Sequence, residues 1–249
     1  MGRMRAGVLA AAVLAVLAGG SLAGPAAARA GDQAHRGGAG THSPAGRVLS
    51  VSAGGSHTCA VKTDHTLWCW GSNDLGQLGN GTTTDSAVPV REHTHASDWT
   101  AVSAGEEYTC AVKTNHTLWC WGSNPSGELG NGTTTDSDIP VREHSHAGDW
   151  AAVSAGWDHT CAVKTGHTLW CWGDNGTGQL GDGGPTTGSD VPVQEHNHAS
   201  DWTAVSAGGD HACAVKTDHS LWCWGNNYSG QLGIGVAGYF STPEQVTRL

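Results

Sequence analysis

From Val48 to Leu249 the chain repeats one unit of about fifty residues four times, and this periodicity limits the fold more than any other feature. Each copy runs Ser-Ala-Gly, two variable residues, Cys-Ala-Val-Lys-Thr, a turn, Leu-Trp-Cys-Trp-Gly, and a Gly-Gln/Glu-Leu-Gly loop. The leading cysteines Cys59, Cys110, Cys161 and Cys213 are 51, 51 and 52 residues apart, and Cys69, Cys120, Cys171 and Cys223 follow the same spacing. Units of this length bury their apolar faces against neighbouring copies, as in propellers and solenoids. A catalytic constellation normally occurs once per chain, so what recurs four times reads as architecture.

Within a unit, Cys59–Lys62 and Thr66–Cys69 read as two strands around the turn Thr63-Asp64-His65. Pairing them sets Val61 opposite Leu67, Ala60 opposite Trp68 and Cys59 opposite Cys69. Opposed residues of an antiparallel pair lie about 4.5–5.5 Å apart, within reach of a disulfide. The x9 spacing does not suit a C-x2-4-C zinc knuckle. Four bridges are therefore expected, each closing a small loop and contributing about 2.5–3 kcal/mol by the chain-entropy estimate. Alternation puts Cys59, Val61, Leu67 and Cys69 on one face, with Ala60, Trp68 and Trp70 on the other. Both faces are apolar, which suits a small sheet packed between copies of itself. Further strands are expected around Thr100–Ser103 and Ala87–Arg91, with Pro89 at an edge. The expected fold is all-β, a propeller or partial propeller of four repeats, at about 48–98, 99–149, 150–201 and 202–249.

The Ser-Ala-Gly-x-x-His-Thr-Cys-Ala-Val stretch (Ser52 to Val61), Leu-Trp-Cys-Trp-Gly (Leu67 to Gly71) and Gly-Gln-Leu-Gly-Asn-Gly (Gly76 to Gly81) resemble the regulator of chromosome condensation repeat. The resemblance implies a β-propeller with blades of about fifty residues, and its paired cysteines resemble those of secreted bacterial members. The best-known members have seven blades and this chain has four. The strand-like ends Val48–Ser52 and Glu244–Arg248 allow one blade shared between the termini, an open arc, or a homodimer completing one ring. The family favours Asp-Gly in the hairpin turn; here His65, His116, His167 and His219 occupy the glycine position, where histidine tolerates a left-handed conformation. The founding member's role as a nucleotide exchange factor for a nuclear GTPase does not transfer to an exported, acidic chain.

Export is expected from the N-terminus. Arg3 and Arg5, the apolar run Gly7–Leu17 and the Ala28-Arg29-Ala30 site have the layout of a signal peptide over residues 1–30. The apolar run is too short for a membrane span. Residues 31–47 read as a disordered leader. Eight paired cysteines fit the same oxidising compartment. The full chain carries a formal charge of −10; removal of residues 1–30 leaves nine basic residues against 22 acids, a balance of −13. Such a surface repels phosphate backbones, which argues against nucleic acid.

Function is expected where the repeat is broken. The variable pairs after Ser-Ala-Gly are Gly55-Ser56, Glu106-Glu107, Trp157-Asp158 and Gly209-Asp210, and Tyr108 replaces a histidine found in the other copies. Tyr108, Trp157, Tyr228, Tyr239 and Phe240 are candidate ligand contacts; for Tyr239 and Phe240 the competing role is to cap the last blade. The connectors carry His93 and His95, His144 and His146, and His196 and His198, each pair followed by an aspartate. On an extended strand such His-x-His pairs face one way and suit zinc, nickel or copper. A solvated connector is the plainer role for them. Asn80 and Asn131 open Asn-Gly-Thr triplets that match a glycosylation acceptor, and the Asp174–Asp182 loop lacks the acidic spacing of a calcium loop. No hydrolase elbow, zinc-protease helix or phosphate loop occurs. The expectation is a secreted, non-catalytic scaffold that needs no cofactor and binds a protein or cell-surface ligand through blade loops. Metal binding by the connectors is the alternative, and a carbohydrate-active enzyme a weaker one.

Overall fold

The computed structural model describes residues 46–247; the expected signal peptide and nearly all of the leader lie outside them. Among the described residues, sixteen strands form four sheets, each from four consecutive strands in sequence order. The first sheet holds β1 (Val48–Ala53), β2 (His57–Lys62), β3 (Leu67–Gly71) and β4 (Ser86–Arg91). The second holds β5 (Trp99–Ala104), β6 (Tyr108–Lys113), β7 (Leu118–Gly122) and β8 (Ser137–Arg142). In the third are β9 (Trp150–Ala155), β10 (His159–Lys164), β11 (Leu169–Gly173) and β12 (Ser189–Gln194). The fourth has β13 (Trp202–Ala207), β14 (His211–Lys216), β15 (Leu221–Asn226) and β16 (Tyr239–Gln245). Every pairing is antiparallel, and the first strands of successive sheets pack side by side, so the array is all-β blades around a common inner wall.

The hairpin register is as expected, with Val61 opposite Leu67, Ala60 opposite Trp68 and Cys59 opposite Cys69. All four bridges form, with Cα atoms 4.0–4.1 Å apart. Pro89 sits in β4, the edge strand of its sheet, where no ladder donor is needed. The turn histidines adopt φ of 60–66°. The ends, however, do not share a blade: β1 belongs wholly to the first sheet and β16 to the fourth. The last strand also starts earlier than the expected Glu244–Arg248, because it aligns Phe240 with Gly225 and Glu244 with Cys223.

Blade contacts repeat with the sequence. The disulfide face of one blade (Cys59, Val61, Leu67, Cys69, Leu78) packs on the tryptophan face of the next (Trp99, Val102, Ala111, Trp121). The third and fourth blades repeat the pattern. A buried asparagine folds each Gly-Gln/Glu-Leu-Gly loop into place: Asn73 Oδ1 accepts from Leu78 N at 2.9 Å, as Asn124 does from Leu129 N. The loop then offers a carbonyl to the next blade. Trp121 Nε1 donates to Gln77 O at 3.0 Å, Trp172 Nε1 to Glu128 O at 2.7 Å and Trp224 Nε1 to Gln179 O at 2.8 Å.

The connectors between blades bond to these loops, His93 N donating to Gly79 O at 2.8 Å, and are held by buried carboxylates. Glu92 Oε2 accepts from Thr94 N and Oγ1, and Oε1 from Ala96 N and, at 3.4 Å, from Trp99 Nε1. Glu143 and Glu195 repeat this. The carboxylate winds the connector into a turn, and His95, His146 and His198 take φ of 50–53°. The His-x-His pairs are therefore not on extended strands. Histidines 93 and 95, 144 and 146, and 196 and 198 lose the shared facing that the metal expectation required. Among the described residues, no three His, Cys, Asp or Glu side chains group as a metal site.

Candidate binding face

The Ser-Ala-Gly ending of each first strand lets neighbouring blades approach closely at the inner wall. A Cβ on Gly54 would lie 2.3 Å from Gly105 O, and one on Gly156 would lie 2.4 Å from Gly208 O. The small residues Ala53, Ala104, Ala155 and Ala207 line a mostly apolar cavity of about 680 Å³, rimmed by Glu106 and Trp157. The variable pairs after Ser-Ala-Gly form this rim, because they lie in the turns between the first and second strands.

Strand direction sorts charge between the two ends. Each Lys of the Cys-Ala-Val-Lys stretch ends a second strand, Arg91 and Arg142 end fourth strands, and Arg47 precedes β1. All seven basic residues among those described thus lie at the end away from the cavity rim. There Lys113 pairs with Asp98 at 3.1 Å and sits 4.6 Å from the Trp99 ring centre and 5.3 Å from that of Trp119. Lys164 and Lys216 repeat the arrangement. The rim carries Glu106, Glu107, Asp158, Asp174 and Asp210 with no basic residue among them. Asp158, exposed as a residue, has its carboxyl pushed up first by partial desolvation and then by the other four acids. Burial pushes His57 and His159 down to about 4, so neither adds positive charge at neutral pH. The unfolded chain protonates both as pH falls below about 6.5 while the folded chain resists until about 4, so stability falls through that range.

The candidate aromatics divide. Trp157 is 41% exposed, lines the cavity and lies against Gly209. Tyr228 and Tyr239 are exposed on the last blade and meet edge to face at 4.8 Å. Phe240 packs on the Cys223–Leu232–Val246 cluster and caps that blade. Tyr108 is not a contact residue: it is fully buried, donating to His159 O at 2.6 Å and accepting from Thr160 Oγ1. The substitution that looked like a binding residue joins two blades. In the Asp174–Asp182 loop, Asp174 accepts from Gln179 Nε2 and Asp182 from Gly184 N, so internal bonds occupy both carboxylates.

Two structural roles were missed by sequence reasoning. The turn histidines reach the next blade: His65 Nδ1 lies 2.8 Å from Trp99 O, and His116 and His167 repeat this contact. Histidine in the glycine position thus adds an inter-blade bond. Glu128, which replaces the Gln of the other three copies, is buried beneath the acidic rim and pushed up to about 7, mainly by desolvation. Its folded pKa lies above its unfolded value near 4.5, so it costs stability increasingly as pH rises from about 4.5 to 7 and fully above that. Glu128→Gln should raise the unfolding free energy at pH 8 by on the order of 2 kcal/mol after discounting for solvent screening. The gain should vanish at pH 4.5, and equal urea midpoints for both proteins at pH 8 would contradict it.

Together these features define a disulfide-stapled array of propeller blades with an acidic mouth. Residues 20–249 match the RCC1-like domain family model, and the chain belongs to that family. The ultraviolet-B receptor UVR8 of Arabidopsis thaliana is 35% identical over 191 residues, covering 76% of this chain and 43% of that protein. The human E3 ubiquitin-protein ligase HERC2 is 26% identical over 211 residues, covering 81% of this chain and 4% of that protein. The chain therefore spans less than half the length of these curated relatives. Among solved structures, yeast RCC1 (Prp20) bound to Kap60 superposes with a TM-score of 0.73 at 18% identity, covering 84% of this chain and 50% of that one. Human WBSCR16 gives 0.74 at 23% identity, covering 82% and 54%. At these identities the structures establish the fold alone. Among the described residues no helix is long and apolar enough to cross a membrane.

Proposed function

We propose that the chain is an exported, non-catalytic scaffold that binds a protein partner through its acidic mouth, and that the partner presents a basic segment. The observation that supports this most is the separation of charge: five carboxylates gather at the rim that carries the exposed Trp157, while every described basic side chain lies at the far end. Lysine and arginine are attracted by such a rim, and Trp157 offers a ring face for a cation–π contact. Export is supported by the signal-like N-terminus and by four closed disulfides, which belong to oxidising compartments.

A nona-arginine peptide serves as the probe, titrated calorimetrically at low and high salt. Binding should weaken with salt, and Trp157→Ala should lower affinity by about tenfold, the effect of one aromatic anchor. Asp158→Asn combined with Asp210→Asn should do the same. Thr165→Ala, at the far end, should change nothing. Unaltered affinity in the Trp157 variant would sink the proposal, since an unspecific acidic surface would not notice its loss.

A further inference from the structure

Each joint between blades has two halves, and the described residues contain one unused copy of each half. The first blade keeps an uncovered tryptophan face. Val51 is 45% exposed where its counterpart Val102 is 7% exposed, Val48 and Leu49 are exposed, and Trp70 is only half-buried where Trp121, Trp172 and Trp224 are fully buried. The fourth blade keeps an uncovered disulfide face. Cys213 is half-buried where Cys59, Cys110 and Cys161 are fully buried, and its Gly-Gln-Leu-Gly loop is empty on the outside. The positions that an indole fills at Gly79, Gly130 and Gly181 correspond to Gly233, where only Val246 comes near. A Cβ added at Gly76, Gly127 or Gly178 would lie within 2.8 Å of the next blade's backbone, whereas one added at Gly230 would meet nothing within 4 Å.

The polar groups match in the same way. In the internal joints a serine hydroxyl accepts from the next blade's Ala N: Ser52 from Ala104, Ser103 from Ala155, and Ser154 from Ala207. Gly55 N, Glu106 N and Trp157 N donate to Gly105 O, Gly156 O and Gly208 O. Among the described residues, the remaining halves of this pattern are Ser206 Oγ, Gly209 N and Gln231 O on the fourth blade. On the first blade they are Ala53 N, Gly54 O and Trp70 Nε1. The faces complement each other, and neither complements itself.

We propose that two copies of this chain associate head to tail, each first blade docking on the partner's fourth blade, to give a closed ring of eight blades. The occupant is a second copy because the missing joint repeats one that this chain already makes three times. A head-to-tail contact must close or propagate, and eight lies within the range of about 4–8 blades that propellers adopt. Val102 packs in one cluster with Val61, and Val205 with Val163. By the same register, Val51 of one copy meets Val215 of the other.

The test is sedimentation equilibrium of the exported chain, with and without residues 31–45. A mass of twice the monomer in both forms is expected. Val51→Glu should give a folded monomer with unchanged disulfides, whose melting temperature no longer depends on protein concentration. Val51→Glu combined with Val215→Lys should regain the dimer, now weakened by salt. A monomeric wild type at 100 µM overturns the proposal. Dimers appearing only after removal of residues 31–45 also overturn it, since the leader then covers the faces, and a concentration-dependent polymer overturns the closed ring.

Discussion

Gly130→Ala should lower the unfolding free energy by about 3–4 kcal/mol, combining the cost of a left-handed alanine with that of overpacking. Gly130 has a φ of 63°, and an added Cβ would sit 2.6 Å from Trp172 Nε1. That indole is fully buried and donates to Glu128 O, so it cannot retreat without breaking the joint between the second and third blades. Gly233 separates the two causes, since it has a φ of 70° and a Cβ added there would meet only Val246, at 3.5 Å. In the Val51→Glu background, where no partner indole fills this site, Gly233→Ala should therefore cost about 1–2 kcal/mol, the backbone term alone. Urea unfolding of both variants checks this, and equal losses would show that the indole contact is irrelevant.

The second large effect is expected at the connector carboxylates. Glu143 is fully buried and accepts from Ser145 N, Ser145 Oγ and Ala147 N at 2.7 Å, and from Trp150 Nε1 at 3.3 Å. Glu143→Ala leaves these donors without their acceptor beside a void. At about 1.5–3 kcal/mol per charged hydrogen bond, the less ideal bonds counting for little, the loss should reach about 4 kcal/mol. Glu143→Gln keeps one acceptor oxygen and should recover about half of that. The connector links the second blade to Trp150 of the third, so amide exchange should rise first at Ala147 and Trp150. A loss below about 1 kcal/mol would mean that water replaces the carboxylate.

Much of the architecture is legible in the sequence. The hairpin register, the bridges and the two apolar faces followed from side-chain alternation around a short turn, where neighbours in sequence are neighbours in space. The His-x-His connectors misled because extended backbone was assumed there; Glu92, Glu143 and Glu195 accept their backbone amides and wind them into turns instead. Tyr108 misled for a related reason. A break in the repeat marks either a binding contact or an adjusted joint, and only its burial against His159 distinguishes them. Trp157 has the same kind of sequence signature but remains at the surface.

The sequence by itself determined the blade: four strands, a disulfide across the central hairpin, and an apolar face on either side. These depend on local alternation and on contacts within about fifty residues. The tertiary structure alone decided how blades meet, which end gathers the acids, and that the first and fourth blades keep matching faces uncovered. Those outcomes depend on the relative placement of whole sheets, which no spacing within a repeat records.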